Sequence, residues 1–196
     1  MKFYFKASKQ NLKIAIDKLR SHHLIIHSTD TLPGIAADAT SNNAVNKIIK
    51  LKGRFGPYSI IINSVRDIKK YALINKIQME KLSQFLPGAF TILLKNNKNN
   101  SLSNLTLGDS KLIGFRIPNH NFTNQLTSIL NKPIITTSLN LTGQKSIVDL
   151  KTVSNDFKDL VIFDDGTNRA SKGSTILDFS SNKIRVIRYG DGIYIK

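Results

Sequence analysis

The sequence has no cysteine, which excludes a disulfide framework and a thiolate metal site. Its four histidines, His22, His23, His27 and His120, stand in no H-E-x-x-H or other ligand spacing, so no metal site is expected. No apolar run approaches the roughly 20 residues needed to cross a bilayer. The amino-terminal MKFYFKASKQ is too short and too interrupted by lysine for a signal peptide. A soluble cytoplasmic protein without a membrane partner is the expectation. The usual phosphate loops are missing as well. There is no G-x-G-x-x-G, and the stretch nearest to a Walker A loop, GTNRASKGS at 166–174, has Ser171 at its second glycine position and Gly173 after the lysine. No G-x-S-x-G elbow is present, which argues against a serine hydrolase. Acidic residues are scarce, 13 against 29 Lys and Arg, for a formal charge of +16. A field of that sign favours nucleotides, nucleic acid or other anionic surfaces, although the lysines are scattered along the chain.

What is present is enough apolar residue, 40% of 196, for one domain with a sizeable core. Residues 8–20 read as an amphipathic helix with Leu12, Ala15, Ile16 and Leu19 on one face. Residues 24–27 form a short apolar strand, followed by the hydroxyl-rich loop Ser28-Thr29-Asp30-Thr31 and a turn closed by Pro33-Gly34. Ser41 caps a helix over 41–51 that ends at Lys52-Gly53-Arg54. Strands follow at 58–62, 90–94, 111–117, 133–137 and 160–163. Helices are expected after Ser64 and over 74–86, 122–130 and 149–157. Three strands, 175–179, 183–188 and 193–195, close the chain. The segment 95–110, KNNKNNSLSNLTLGDS, is polar and turn-rich and reads as a mobile loop. Early strands alternating with helices point to parallel pairs, and late strands without helices to antiparallel ones. The fold class is α/β: a single domain over 1–196 with a twisted, mixed parallel and antiparallel sheet flanked by helices.

Small hydroxyls and cations gather at the ends of these strands. Thr136-Thr137-Ser138-Leu139-Asn140 follows one strand and Gly173-Ser174-Thr175 opens another, while Arg116 and Arg188 stand at the ends of two more. Ligands of α/β sheets sit at the carboxyl ends of strands. Hydroxyls and backbone N–H groups there can cradle phosphate, and arginine grips phosphate or carboxylate through paired hydrogen bonds. Each hydroxyl taken alone also reads as an ordinary turn or cap.

In order along the chain these segments resemble the YrdC/TsaC family, the threonylcarbamoyl-AMP synthases. Ser28-Thr29-Asp30-Thr31-Leu32-Pro33-Gly34-Ile35 is similar to its Pro-Thr-(Asp/Glu)-Thr-x-Tyr-Gly-(Leu/Ile), and Lys52-Gly53-Arg54 to its Lys-x-Arg. Leu86-Pro87-Gly88-Ala89-Phe90-Thr91, Gly114-Phe115-Arg116-Ile117-Pro118, Ser138-Leu139-Asn140-Leu141-Thr142-Gly143, Ser174-Thr175-Ile176-Leu177-Asp178 and Arg188-Tyr189-Gly190 resemble its later signatures. The resemblance runs over about 10–192 and suggests the short, single-domain YrdC-like form. It implies synthesis of threonylcarbamoyl-AMP from L-threonine, bicarbonate and ATP with Mg2+, and so a nucleotidyltransferase. It also implies a downstream threonylcarbamoyl transferase that modifies the adenosine next to the tRNA anticodon. By the same resemblance Thr31, Arg116, Thr136 and Ser174 would hold threonine, Thr136 through its backbone, and Lys52, Arg54, Ser138, Asn140, Ser146 and Arg188 would surround ATP. No residue stands out as the catalytic general base. The chain departs from the pattern at Tyr58, Asn63, Leu112 and Leu139. Two other classes stay open: a catalytically impaired module binding double-stranded RNA or tRNA, and a carbamoyl-transfer role like that of a related domain in hydrogenase maturation. Direct tRNA contact by the enzyme itself is expected to be weak and non-specific.

Overall fold

Adjacent isoleucines within one strand point to opposite faces of a sheet, and this chain uses both faces. The computed structural model describes residues 2–181 and 183–195. In chain order it contains β1 (Tyr4–Lys6), α1 (Leu12–Arg20), β2 (Ile25–His27), β3 (Gly34–Asp38), α2 (Asn42–Lys52), β4 (Ser59–Ile61), β5 (Ala72–Leu73), α3 (Lys76–Leu82), β6 (Phe90–Asn96), β7 (Leu112–Arg116), α4 (Asn121–Leu130), β8 (Ile134–Ser138), β9 (Val161–Asp164), β10 (Thr175–Asp178) and β11 (Arg185–Arg188). The strands form one sheet in the order β1-β9-β2-β3-β8-β4-β7-β6-β10-β11, with β5 paired to β6. Ile25, Ala36, Ile61, Ile134 and Phe163 pack on one face against Leu12, Ile16 and Leu19 of α1 and Phe122, Leu126 and Leu130 of α4. Ile26, Ile35, Ile60, Ile135 and Ile162 pack on the other against Ala44, Val45 and Ile48 of α2. A fully buried isoleucine such as Ile48 stabilises the fold by about 1.5–3 kcal/mol relative to an exposed one.

The helix between β3 and β4 is bounded as its sequence requires. The Ser41 hydroxyl accepts from the Ala44 N–H at 3.2 Å. At its other end Gly53 adopts φ 65°, the left-handed conformation glycine tolerates best, and its N–H reaches the Ile49 carbonyl at 2.8 Å.

The sheet is mixed, as expected, but its parallel and antiparallel pairs are distributed differently. Parallel pairs join β1 to β9, β2 to β9, β4 to β7 and β6 to β10. In the centre each neighbouring pair in the series β2, β3, β8, β4 is antiparallel. The reason is β3. Residues 34–38, GIAAD, lack the β-branched density of a strand, and Pro33-Gly34 reads as the close of a turn. Yet the segment is buried throughout and ladders to strands on both sides. Burial between two partners overrides weak intrinsic propensity. The residues before α1 also depart from expectation: the amino-terminal segment adds edge strand β1, and α1 itself begins only at Leu12, after a 3₁₀ turn at Lys9–Asn11.

Four other expectations need correction. The helix over 149–157 is two 3₁₀ turns, Leu150–Thr152 and Asn155–Phe157, because Val153 is extended and Asp149 caps the first turn through the Lys151 N–H. The helix over 74–86 is α3 alone, since Ala72–Leu73 pairs with β6 and Asn75 and Gln78 form a capping box that fixes the start. The segment 95–110 is not a free loop. Leu102, Ser103, Thr106 and Leu107 are buried, and the Ser103 N–H donates to the Ala39 carbonyl at 2.9 Å. Residues 193–195 pair with no strand, and Ile193 and Ile195 are exposed. The short helix after Ser64 is the 3₁₀ turn Val65–Lys70, with Ser64 and Asp67 forming its capping box. No helix among the described residues is long and apolar enough to cross a membrane.

Candidate active site

On the face covered by α1 and α4 the side chains shrink along the strands. Gly34 pairs with Ser138, Ser59 with Thr136, Gly114 with Leu93 and Thr91 with Ile176. Two residues further along β3, β4 and β8 the same face carries Ala36, Ile61 and Ile134, packed under the helices. The helices therefore cover the apolar part of this face, and the part floored by small and hydroxylic residues is left as a cleft of ≈ 320 Å³. Such a volume lies within the range of small-molecule sites.

Eight of the ten sequence-selected residues line this cleft: Thr31, Arg54, Arg116, Thr136, Ser138, Ser146, Ser174 and Arg188. They come from loops and strand ends far apart in the chain, and the sheet order brings them together. In the loop after β2, the Thr29 hydroxyl donates to the Leu32 carbonyl at 2.7 Å and accepts from the Thr31 N–H at 3.0 Å. Ser28 accepts from the Asp165 N–H at 3.0 Å. These two hydroxyls fix the loop, and Thr31 is the one that meets the cleft.

Arg116, at the end of β7, is buried. Its Nη2 donates to Asp30 Oδ1 at 2.7 Å and to Thr31 Oγ1 at 3.0 Å, while its Nε has no partner among the described residues. Burial pulls the Arg116 pKa down, and Asp30 opposes that pull. Arg188, which also lines the cleft, donates through Nη2 to the Ser174 carbonyl at 2.7 Å, and the Ser174 and Thr91 hydroxyls lie 2.7 Å apart.

Lys52 and Asn140 are not among the residues that line the cleft. Lys52 is buried, and its Nζ donates to the Ser138 carbonyl at 3.0 Å, the Asn140 carbonyl at 2.5 Å and Asn140 Oδ1 at 2.8 Å. The Ser138 hydroxyl donates to the same Oδ1 at 2.6 Å. Three ammonium hydrogens thus match three oxygens, and together they fix the turn that carries Ser138. Burial, and secondarily Arg54, push the Lys52 pKa down to about 8, so the ammonium is mostly retained at neutral pH.

The departures from the family pattern are also placed. Tyr58 lines the cleft. The Arg54 guanidinium lies 4.9 Å from its ring centroid, and the Tyr58 hydroxyl donates to the Arg54 carbonyl at 2.6 Å, so the tyrosine steadies this cation. Leu139 is fully buried in the core. Leu112 opens β7 at the end opposite Arg116, and Asn63 borders a separate small pocket with Asp67 and Tyr71. Sequence reasoning passed over Gly34, Ser59, Thr91 and Lys172, which also line the cleft. Gly34 and Thr91 both lie within segments that resemble the family's signatures. No carboxylate lines the cleft among the described residues, and no group of three potential metal-binding side chains occurs among them.

The Sua5/YciO/YrdC family model, described as "Telomere recombination", matches residues 17–190. Over 186 residues the chain is 33% identical to a protein of Methanocaldococcus jannaschii, covering 93% of this chain and 86% of that one. It is 30% identical over 195 residues to the threonylcarbamoyl-AMP synthase of Mus musculus, covering 91% of this chain and 66% of the mouse protein. A solved structure of P. abyssi Sua5 superposes with a TM-score of 0.88 at 26% identity, covering 97% of this chain and 60% of that chain.

Proposed function

Because the chain belongs to the Sua5/YciO/YrdC family, we propose that it is an L-threonylcarbamoyladenylate synthase, a nucleotidyltransferase that joins L-threonine, bicarbonate and ATP and releases pyrophosphate. The observation that carries this reading is the single cleft into which the fold brings Thr31, Arg116, Thr136 and Ser174 together with Arg54, Ser138, Ser146 and Arg188. A relative, P. abyssi Sua5, has been solved in complex with L-threonine.

Threonine would bind with its carboxylate at Arg116, whose buried Nε, unpaired among the described residues, is a donor that a carboxylate oxygen satisfies. The Thr31 and Ser174 side chains also line the cleft. ATP would lie along Arg54, Ser138, Ser146 and Arg188, with Lys52 and Asn140 holding the Ser138 turn from behind. The threonine amine adds to the bicarbonate carbon, and loss of water gives the carbamate. A carbamate oxygen then attacks the α-phosphorus of ATP, and pyrophosphate leaves with the electron pair of the broken P–O bond. Charge grows on the phosphoryl oxygens and the leaving group, and fixed cations stabilise it without reorganising. Among the described residues no carboxylate lines the cleft, so magnesium would enter as part of the Mg–ATP substrate. The product would pass to a separate transferase acting on tRNA. The reading of a chemically silent RNA-binding module is not favoured, since Arg54, Arg116 and Arg188 line a small-molecule cleft.

The test is pyrophosphate release from ATP with each substrate omitted in turn, and product identified by mass spectrometry. Release is expected to require both threonine and bicarbonate. Release indifferent to threonine would leave only a nucleotide-hydrolysing protein.

A further inference from the structure

The segment 166–174, GTNRASKGS, carries the glycine, lysine and serine of a phosphate loop in an order that departs from the Walker pattern. A Walker loop opens a helix, whereas this segment runs into strand β10. Its backbone is held in another way. Asp191 Oδ1 accepts the Lys172 N–H at 2.8 Å, Ser171 Oγ accepts the Gly173 N–H at 2.9 Å, and the Gly173 carbonyl accepts the Asp191 N–H at 2.8 Å. The Ser171 hydroxyl in turn donates to Asp191 Oδ2. Residues 171–173 are therefore clasped to Asp191. With its N–H taken, residue 172 has its ammonium left as the donor for a ligand.

The clasp sets that ammonium in charged company. Gly173 takes φ 80°, and a Cβ on it would stand 3.2 Å from Arg188 Nη2, so the segment packs on a cation of the cleft. Lys172 lines the same cleft, whose lining holds no carboxylate among the described residues. Lys172 and Arg188 are exposed, whereas Arg116 is buried. A lysine is a mobile point charge that retains its hydration, suited to a multiply charged phosphate in contact with water. The buried fork of an arginine suits a fixed carboxylate.

We infer that Lys172 is a further substrate-binding residue, whose ammonium meets the β- and γ-phosphates of ATP and remains with them as they depart as pyrophosphate. The inference rests on the synthase reading of the cleft. Attack by the carbamate requires the α-phosphorus to adjoin threonine, and so the buried Arg116. The phosphates that leave belong to the part open to solvent, where Lys172 and Arg188 stand. No bond to Lys172 forms or breaks. Pyrophosphate takes the electron pair of the broken P–O bond, and the ammonium stabilises the charge it gains.

The test follows threonylcarbamoyl-AMP by mass spectrometry, with inorganic pyrophosphate or AMP added as inhibitor. Lys172→Met removes the charge and keeps most of the side chain's length. It is expected to raise the ATP KM and the pyrophosphate Ki about fivefold each, the scale of one solvent-exposed charge contact. The AMP Ki and the threonine KM should stay within about twofold, because neither ligand carries the departing phosphates. Lys172→Arg should keep the pyrophosphate Ki within about twofold of the unaltered protein. Lys81→Met removes an exposed lysine of α3 that is not in the cleft lining, and it should leave both Ki values in place. A thermal melt of each variant checks that the fold is intact. In an active enzyme, an unchanged pyrophosphate Ki in Lys172→Met overturns the inference. So does an equal rise in the AMP Ki, which would put Lys172 at the α-phosphate, or an equal rise in Lys81→Met, which would reduce the effect to the general field. Absence of threonylcarbamoyl-AMP formation by the unaltered protein overturns the synthase reading beneath it.

Discussion

In the Arg116 guanidinium, Nη2 serves Asp30 and Thr31 while Nε lies buried without a partner among the described residues. Removing the whole side chain would strand Asp30, whose side chain is only 10% exposed, and mix a stability loss with any effect on binding. Arg116→Lys is the cleaner change. It keeps a cation beside Asp30 and discards the planar fork that offers Nε to a carboxylate. The expected outcome is a rise of roughly ten- to a hundredfold in the threonine KM, the scale of a charge-assisted hydrogen bond, with little change in the ATP KM. Arg54→Ala should do the reverse, since Arg54, held against Tyr58, belongs to the residues proposed to meet ATP. Steady-state kinetics with each substrate varied checks this. Equal effects of both changes on both substrates would dissolve the division of the cleft into threonine and nucleotide halves.

At the scale of the element, β3 and α2 each depend on a glycine for a different reason. Gly53 ends α2 with φ 65° and has nothing within 4 Å of an added Cβ, so Gly53→Ala costs about 1 kcal/mol of backbone strain and touches no substrate group. Gly34→Ala meets Thr136 Oγ1 at 2.5 Å and must displace it from the cleft floor. Thermal melts should show a small loss for Gly53→Ala with the threonine KM intact, and a clear rise in that KM for Gly34→Ala. Equal threonine KM values in the two variants would remove Gly34 and Thr136 from the substrate site. The sequence showed β4 and β8 because short runs of isoleucine and other strand-forming residues stand there, and it showed α2 because Ser41 and Gly53 mark its ends. It concealed β3 because alanines and a Pro-Gly pair carry no strand signal, and the strand exists only through its two neighbours. The cleft was legible to the same extent. Arg116, Arg188 and the Ser138 turn stand out at strand ends. Gly34, Ser59 and Thr91 are individually unremarkable small residues, and the pairing of β3 with β8, β8 with β4 and β6 with β10 makes them a floor. Lys52 was found by its motif, but its burial behind the Ser138 turn depends on where α2 packs, which no local pattern encodes.

Across the whole molecule a formal charge of +16 sets up a positive field. Part of it is focused in the cleft, where Arg54, Arg116, Lys172 and Arg188 line a wall with no carboxylate among the described residues. That arrangement raises the local concentration of a nucleotide polyanion. The remaining lysines are dispersed, and no stretch alternates aromatic and basic residues in the manner of single-strand readers. Transfer RNA should therefore meet the protein as a polyanion. Binding is expected at low salt and nearly absent at physiological salt, with a log–log slope of roughly −2 to −4, the release of counterions from a few phosphates. It should be indifferent to tRNA sequence and be displaced by heparin. ATP should compete for the fraction of the field that lies in the cleft and leave the rest. A salt titration of tRNA binding, with and without Mg–ATP, measures both. Tight binding at physiological salt, selective for tRNAs that carry the threonylcarbamoyl modification, would show that the field forms a dedicated docking surface and would bring direct RNA recognition into the function of the chain.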